Sequence, residues 1–125
     1  SIQVLSTIPV LFNYWAKPKD GLETSNFFND HIAETVAANT ERFIGIGTVP
    51  LQDVDLAIGE MHRCVSELKM PGLEIGSNIN GKNLIELGIK QGKEITIHRC
   101  SHHILYLAVY AEYPQRFDDY IQYNQ

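Results

Sequence analysis

The sequence predicts an α/β fold with a parallel sheet, and three observations predict it. Two β-branched apolar runs, Ile2 to Pro9 and Phe43 to Val49, are each closed by a proline. Two stretches with helical spacing of apolar residues lie between and after them, and a third apolar run starts at Leu73. Strands that alternate with helices form βα units, whose connections favour parallel pairing.

Ile2 to Pro9 reads as a buried parallel strand, because Pro9 cannot donate to a ladder and marks its end. Phe12 to Glu23 reads as a long connection, with Asn13, Lys17-Pro18-Lys19 and Asp20-Gly21 as turn residues. Thr24 or Ser25 is expected to cap the first helix. Within it Phe28, Ile32 and Val36 recur every four residues, Phe27 and Ala33 widen the stripe, and Asn39-Thr40 end it. After Phe43 to Val49, closed by Pro50, a second helix runs from about Asp53 to Lys69. Its apolar residues Val54, Ile58, Met61, Val65 and Leu68 give one buried face, with Asp55, Glu60, Arg63 and Glu67 opposite. Met70-Pro71-Gly72 stops it, and Leu73 to Ile75 begins a third strand that leaves through Gly76-Ser77-Asn78. Near the C-terminus Ile104 to Tyr110 is expected to form a short helix.

Composition narrows the function. The 125 residues are 44% hydrophobic and 20% charged, ordinary values for one globular domain. A net charge of −5 with no Lys/Arg-rich segment argues against nucleic acid as partner. No apolar run approaches the roughly 18 residues of a membrane span, and the N-terminus has no basic region of a secretory signal. Two cysteines, Cys64 and Cys100, are too few for a disulfide framework. Cys64 falls on the apolar side of its helix, so a buried free thiol in a reducing, cytoplasmic setting is expected.

A short echo points to a site. Ser6-Thr7-Ile8-Pro9 resembles Gly47-Thr48-Val49-Pro50, 41 residues further on. Both place hydroxyls at the C-terminal end of a strand, the edge where parallel α/β folds bind ligands. Ser6, Thr7, Thr48 and Ser77 are therefore substrate-side candidates, for a small molecule. The alternative is that Thr7 and Thr48 merely satisfy backbone groups at the turn.

Three stretches carry a family resemblance: QVLSTIPVLFNYWAKPKD, ERFIGIGTVPLQDVDLAIGEMHRCVSEL and PGLEIGSNINGKNL. They resemble the 2-amino-3-carboxymuconate-6-semialdehyde decarboxylase family of the amidohydrolase superfamily, from Ile2 to about Asn80. FNYWAKP is the most specific of them, because packing would not demand those residues in a loop. The resemblance implies a (β/α)₈ TIM barrel of about 250 residues or more. This chain would supply about strands two to five, the first strand preceding Ser1 and the sixth to eighth following Gln125. It also implies a zinc ion at the strand ends, whose bound water serves as nucleophile or proton relay, and a histidine base. An HxH motif on the first strand, a histidine on the fifth and a late aspartate would hold the ion.

This sequence has no HxH; His102-His103 are adjacent and would point to opposite faces of a strand. Glu94 to His98 resembles the family's fifth strand, which makes His98 the metal-ligand candidate. The family's Pro-Trp after that histidine is here Arg99-Cys100, and the preceding helix, about Asn83 to Gln91, is short and weakened by Gly88 and Gly92. His98, Cys100, His102 and His103 together have the residue types of a zinc site but the spacing of no familiar finger. No catalytic residue is assigned. Residues 1–98 are read as part of a barrel and 99–125 as a divergent tail. The leading expectation is a zinc-dependent carboxy-lyase, inactive as this chain alone. A hydroxybenzoate-type decarboxylase and a non-catalytic fragment are the other readings. Two open sheet edges would favour homo-oligomers or association with a partner subunit.

Overall fold

A computed structural model describes residues 1–76, 78–83, 95–99 and 104–109, the last two stretches through their backbone. Gln3–Leu5 (β1) pairs in parallel with Phe43–Gly45 (β2), Leu5 opposite Gly45. Two residues further on, Gly47 forms a parallel bridge to Leu73. Its N–H donates to the Gly72 carbonyl at 3.1 Å, and the Glu74 N–H donates to the Gly47 carbonyl at 2.8 Å. Gly72–Gly76 (β3) thus follows β2 in the sheet. Between the strands run Pro18–Ala38 (α1) and Val54–Ser66 (α2), so the two consecutive βα units form as expected.

Several boundaries differ from the sequence reading, each for a physical reason. Helix α1 starts at Pro18, six residues before the expected cap at Thr24. Proline at the first helical position sacrifices no hydrogen bond, since that N–H has no partner in the helix anyway. Thr24 lies inside the helix, donating from Oγ1 to the Asp20 carbonyl at 2.8 Å. The buried face of α1 is Gly21, Ser25, Asn29 and Ile32, and Phe27 is 68% exposed. The helix is rotated because Gly21 permits close approach: a Cβ there would lie 2.2 Å from Gln52 Nε2 and 3.4 Å from Pro50 Cβ.

Helix α2 has Asp53 as its cap, accepting from the Leu56 N–H at 3.0 Å. It ends at Ser66 rather than Lys69. Lys69 takes a left-handed conformation (φ 56°), and the Met70 N–H donates back to the Cys64 carbonyl at 2.9 Å. Its buried residues are Ala57, Glu60, Met61, Cys64 and Val65, so Ile58 faces out and Glu60 faces in, the reverse of expectation. Strand β1 is three residues long and mostly exposed instead of buried, since β2 is its one neighbour among the described residues.

The later elements are antiparallel. Asn78–Ile79 (β4) and Lys82–Asn83 (β5) form a hairpin. Asn80 (φ 51°) and Gly81 (φ 86°) make its two-residue turn, the geometry for which Asn-Gly is favoured. Ile95–Arg99 (β6) pairs with Ile104–Val109 (β7), and β7 pairs with β3 in the order β3-β7-β6. The expected helix at Ile104 to Tyr110 is therefore a strand over Ile104–Val109. Its β-branched and aromatic residues suit a strand with neighbours on both sides. Of the two sheet edges expected to be open, the β3 edge is covered by β7. The expected helix at Asn83 to Gln91 falls on residues 84–91, outside the described residues, and Asn83 itself ends β5.

The core lies between the sheet and the two helices. It contains Ile32, Val49, Leu51, Ala57, Met61, Cys64, Met70, Leu73, Ile75 and Ile79. Burying one such large side chain is worth about 1.5–3 kcal/mol, which makes this layer the frame that holds the strand ends. Among the described residues no helix is long and apolar enough to cross a membrane.

Candidate functional site at the strand ends

Alternation along the strands separates two faces. Gly45 and Gly47 turn toward the helices: an added Cβ would meet Ile32 Cγ2 at 2.6 Å and Cys64 Sγ at 2.8 Å. Leu73 and Ile75 share that side, as core members. Ile46, Thr48 and Glu74 therefore occupy the opposite face, and all three are buried. Because Gly47 registers with Leu73, Thr48 and Glu74 are neighbours across β2 and β3.

On this face the Ser6 hydroxyl hydrogen-bonds the Glu74 carboxyl. Burial pushes that carboxyl above the usual glutamate range, and the Ser6 bond pulls it partly back. Glu74 Oε2 is buried without a hydrogen-bond partner among the described residues, as are Thr48 Oγ1 and Thr7 Oγ1. The Thr7 and Thr48 hydroxyls thus do not serve the turn backbone.

Loops close over the same end. Asn13 adopts a left-handed conformation (φ 51°), and Phe12 and Tyr14 stack with ring centroids 5.5 Å apart. The Gly76 N–H donates to Tyr14 Oη at 3.0 Å, and Asn80 Nδ2 donates to the Tyr14 carbonyl at 2.7 Å. Burial raises the Tyr14 phenol well above its ordinary value, and the nearby Glu74 charge raises it further. This phenol stays protonated at any physiological pH.

The helix side carries a second buried polar group. Asn29 pairs with the Thr48 peptide twice, accepting from its N–H and donating to its carbonyl, both at 2.8 Å. Glu60 accepts from Arg63 Nε at 2.8 Å, and Arg63 reaches Asp30 of α1 at 2.6 Å. Cys64 is fully buried beside Glu60, and burial, then the Glu60 charge, push its thiol far up. This set ties α1 to α2 and to the end of β2; its function is to hold Thr48 in place.

Of the candidates expected from the sequence, Ser6, Thr7 and Thr48 lie at the ends of adjacent parallel strands. Ser77 falls outside the described residues. His98 lies on β6, at the register position of Tyr106 of β7, which is in turn opposite Glu74 of β3. Among the described residues no group of three or more His, Cys, Asp or Glu converges as a metal site requires. Those residues do not fit a zinc ion by themselves. Sequence reasoning misses two members of the cluster, Glu74 and Tyr14. For Glu74 a signal exists: a carboxylate between Leu73 and Ile75 in a buried strand must face away from the core.

No family model matches the chain. Over 66% of its length it is 57% identical to the 2-amino-3-carboxymuconate-6-semialdehyde decarboxylase of Dictyostelium discoideum, of which it spans 23%. The solved 5-carboxyvanillate decarboxylase from Sphingomonas paucimobilis superposes at TM-score 0.60 and 34% identity, over 63% of this chain and 23% of that one. A dihydroxybenzoic acid decarboxylase from Polaromonas sp. JS666, 41% identical over 46% of this chain and 18% of that one at TM-score 0.46, has manganese bound. The chain therefore spans about a quarter of the length of the decarboxylases it matches. By sequence, two thirds of this chain is homologous to a segment of the 2-amino-3-carboxymuconate-6-semialdehyde decarboxylases.

Proposed function

We propose that this chain is part of a metal-dependent, non-oxidative decarboxylase that removes CO₂ from 2-amino-3-carboxymuconate-6-semialdehyde, a step of tryptophan breakdown by the kynurenine route. The observation that carries the reading is the 57% identity over 66% of the chain. The polar ends of three parallel strands support it, because that edge is where such sheets bind small molecules. In this reading residues 1–98 belong to a (β/α)₈ barrel and 99–125 diverge from it in sequence, with Ile104–Val109 paired between β3 and β6. The protein is cytoplasmic and homodimeric.

A zinc ion would supply charge stabilisation as CO₂ leaves and electron density collects on the adjacent carbon. His98 is the one ligand the resemblance assigns to this sequence, the others belonging to motifs it does not contain. The part of this chain's residues is to bind: Ser6, Thr7 and Thr48 present hydroxyls to the substrate, with Ser77 a further candidate from the sequence, Glu74 lies beside Thr48, and Tyr14 covers the edge.

The complete protein containing this segment is expected to release CO₂ from the semialdehyde and to lose that activity on exhaustive chelation, with recovery on adding zinc. CO₂ release that survives chelation would remove the metal from the proposal. No release at all from the semialdehyde, with release from a hydroxybenzoate, would move the substrate to the aromatic acids. A second reading, a non-catalytic form, is favoured for the 125-residue chain alone because its sequence contains no HxH motif. That chain is expected to self-associate and to bind zinc weakly; a monodisperse monomer with one tight zinc site in sedimentation and metal analysis would contradict it.

A further inference from the structure

Thr48 and Glu74 are neighbours on the face turned away from the helices, 2% and 4% exposed. Each has a buried oxygen, Thr48 Oγ1 and Glu74 Oε2, with no hydrogen-bond partner among the described residues. A buried carboxylate oxygen without a donor costs free energy, and a hydroxyl beside it costs more. Ser6 provides one donor to the carboxyl, and no described residue provides a second. The Thr48 peptide is fixed by Asn29, and Tyr14 Oη accepts from the Gly76 N–H.

We propose that Thr48 and Glu74 form a subsite for a hydrogen-bond donor, an amino or hydroxyl group carried by an unsaturated carboxylic acid. The donor would satisfy Glu74 Oε2 while Thr48 Oγ1 accepts its second proton or donates to its lone pair. This deepens the decarboxylase reading and rests on it for the acid; the donor follows from the two oxygens. The two residues position the substrate, and neither exchanges a proton with the reacting carbon. The raised proton affinity of Glu74 agrees: burial penalises its charge until a donor arrives.

The test compares calorimetric binding of 2-hydroxybenzoate and benzoate, which differ by one donor, to the complete protein. Wild type is expected to prefer 2-hydroxybenzoate by about tenfold or more, as for other sites built to pair a ligand hydroxyl. Glu74→Met should bring that preference below about threefold, Thr48→Val should lower it partly, and Glu74→Gln, whose amide oxygen still accepts, should retain most of it. Equal affinity for the two acids in wild type, binding of neither, or an intact preference in a folded Glu74→Met overturns the subsite. Should Glu74→Met fail to fold, Thr48→Val decides by the same criterion, because it keeps shape and removes only the hydroxyl. Donor preference without CO₂ release from any acid would sink the decarboxylase reading and leave the subsite standing.

Discussion

The two sides of the parallel sheet meet at Thr48 and treat polar atoms in opposite ways. On the helix side the Thr48 peptide is clamped by Asn29, and Arg63 pairs with both Glu60 and Asp30. On the other side the Thr48 hydroxyl and Glu74 Oε2 are buried with no partner in the described chain. One face ties its amide and ion pairs to one another across the two helices and gives stability. The other withholds its hydrogen bonds, as a surface meant for a ligand must. A single residue is thus anchored from behind and available in front.

The largest expected break in that contrast is Asn29→Leu. It strips partners from the buried N–H and carbonyl of Thr48 and from Glu60, at about 1–3 kcal/mol for each unsatisfied group. A loss of about 3 kcal/mol or more in urea unfolding is expected; a loss under about 1 kcal/mol would mean that the clamp is ornamental. Gly47→Ala is next. Its new Cβ would lie 2.8 Å from Cys64 Sγ, 3.0 Å from Met70 Sδ and 3.1 Å from Leu73 Cδ2. Overpacking of this kind costs about 1–3 kcal/mol, to be read as a drop in melting temperature.

The smallest effect sharpens the comparison from the other face. Glu74 takes up its proton more readily folded than unfolded, because burial opposes its charge. Its contribution to stability is therefore full below the ordinary glutamate value of 4.5 and is lost as pH rises through the higher folded value. Glu74→Gln should flatten this part of the stability–pH curve, measured by denaturant midpoints between acid and neutral pH. An unchanged curve would show that Glu74 is already satisfied.

Much of the frame is legible because strand and helix periods are read directly from apolar spacing. The βα order, the Asp53 region as a helix start, and the strand-end hydroxyls Ser6, Thr7 and Thr48 follow from that. What escapes such a reading depends on partners distant in sequence. Nothing near Asn29 or Glu60 announces that they meet 31 residues apart. Apolar spacing alone therefore turns both helices toward their more apolar stripes. The strand at Ile104–Val109 reads as a helix because a short apolar run has no period of its own to separate the two; its pairing with β3 decides. Tyr14 stands out only as part of a loop motif, since its bond to Gly76 spans 62 residues.

The single tryptophan of the chain, Trp15, is 81% exposed and follows directly on Tyr14, whose ring is wedged against the strand ends. Its indole is an intrinsic optical reporter placed beside the mouth of the cluster and away from the core. A shift of its emission toward the blue on adding an unsaturated acid would report binding beside Tyr14, with no label introduced.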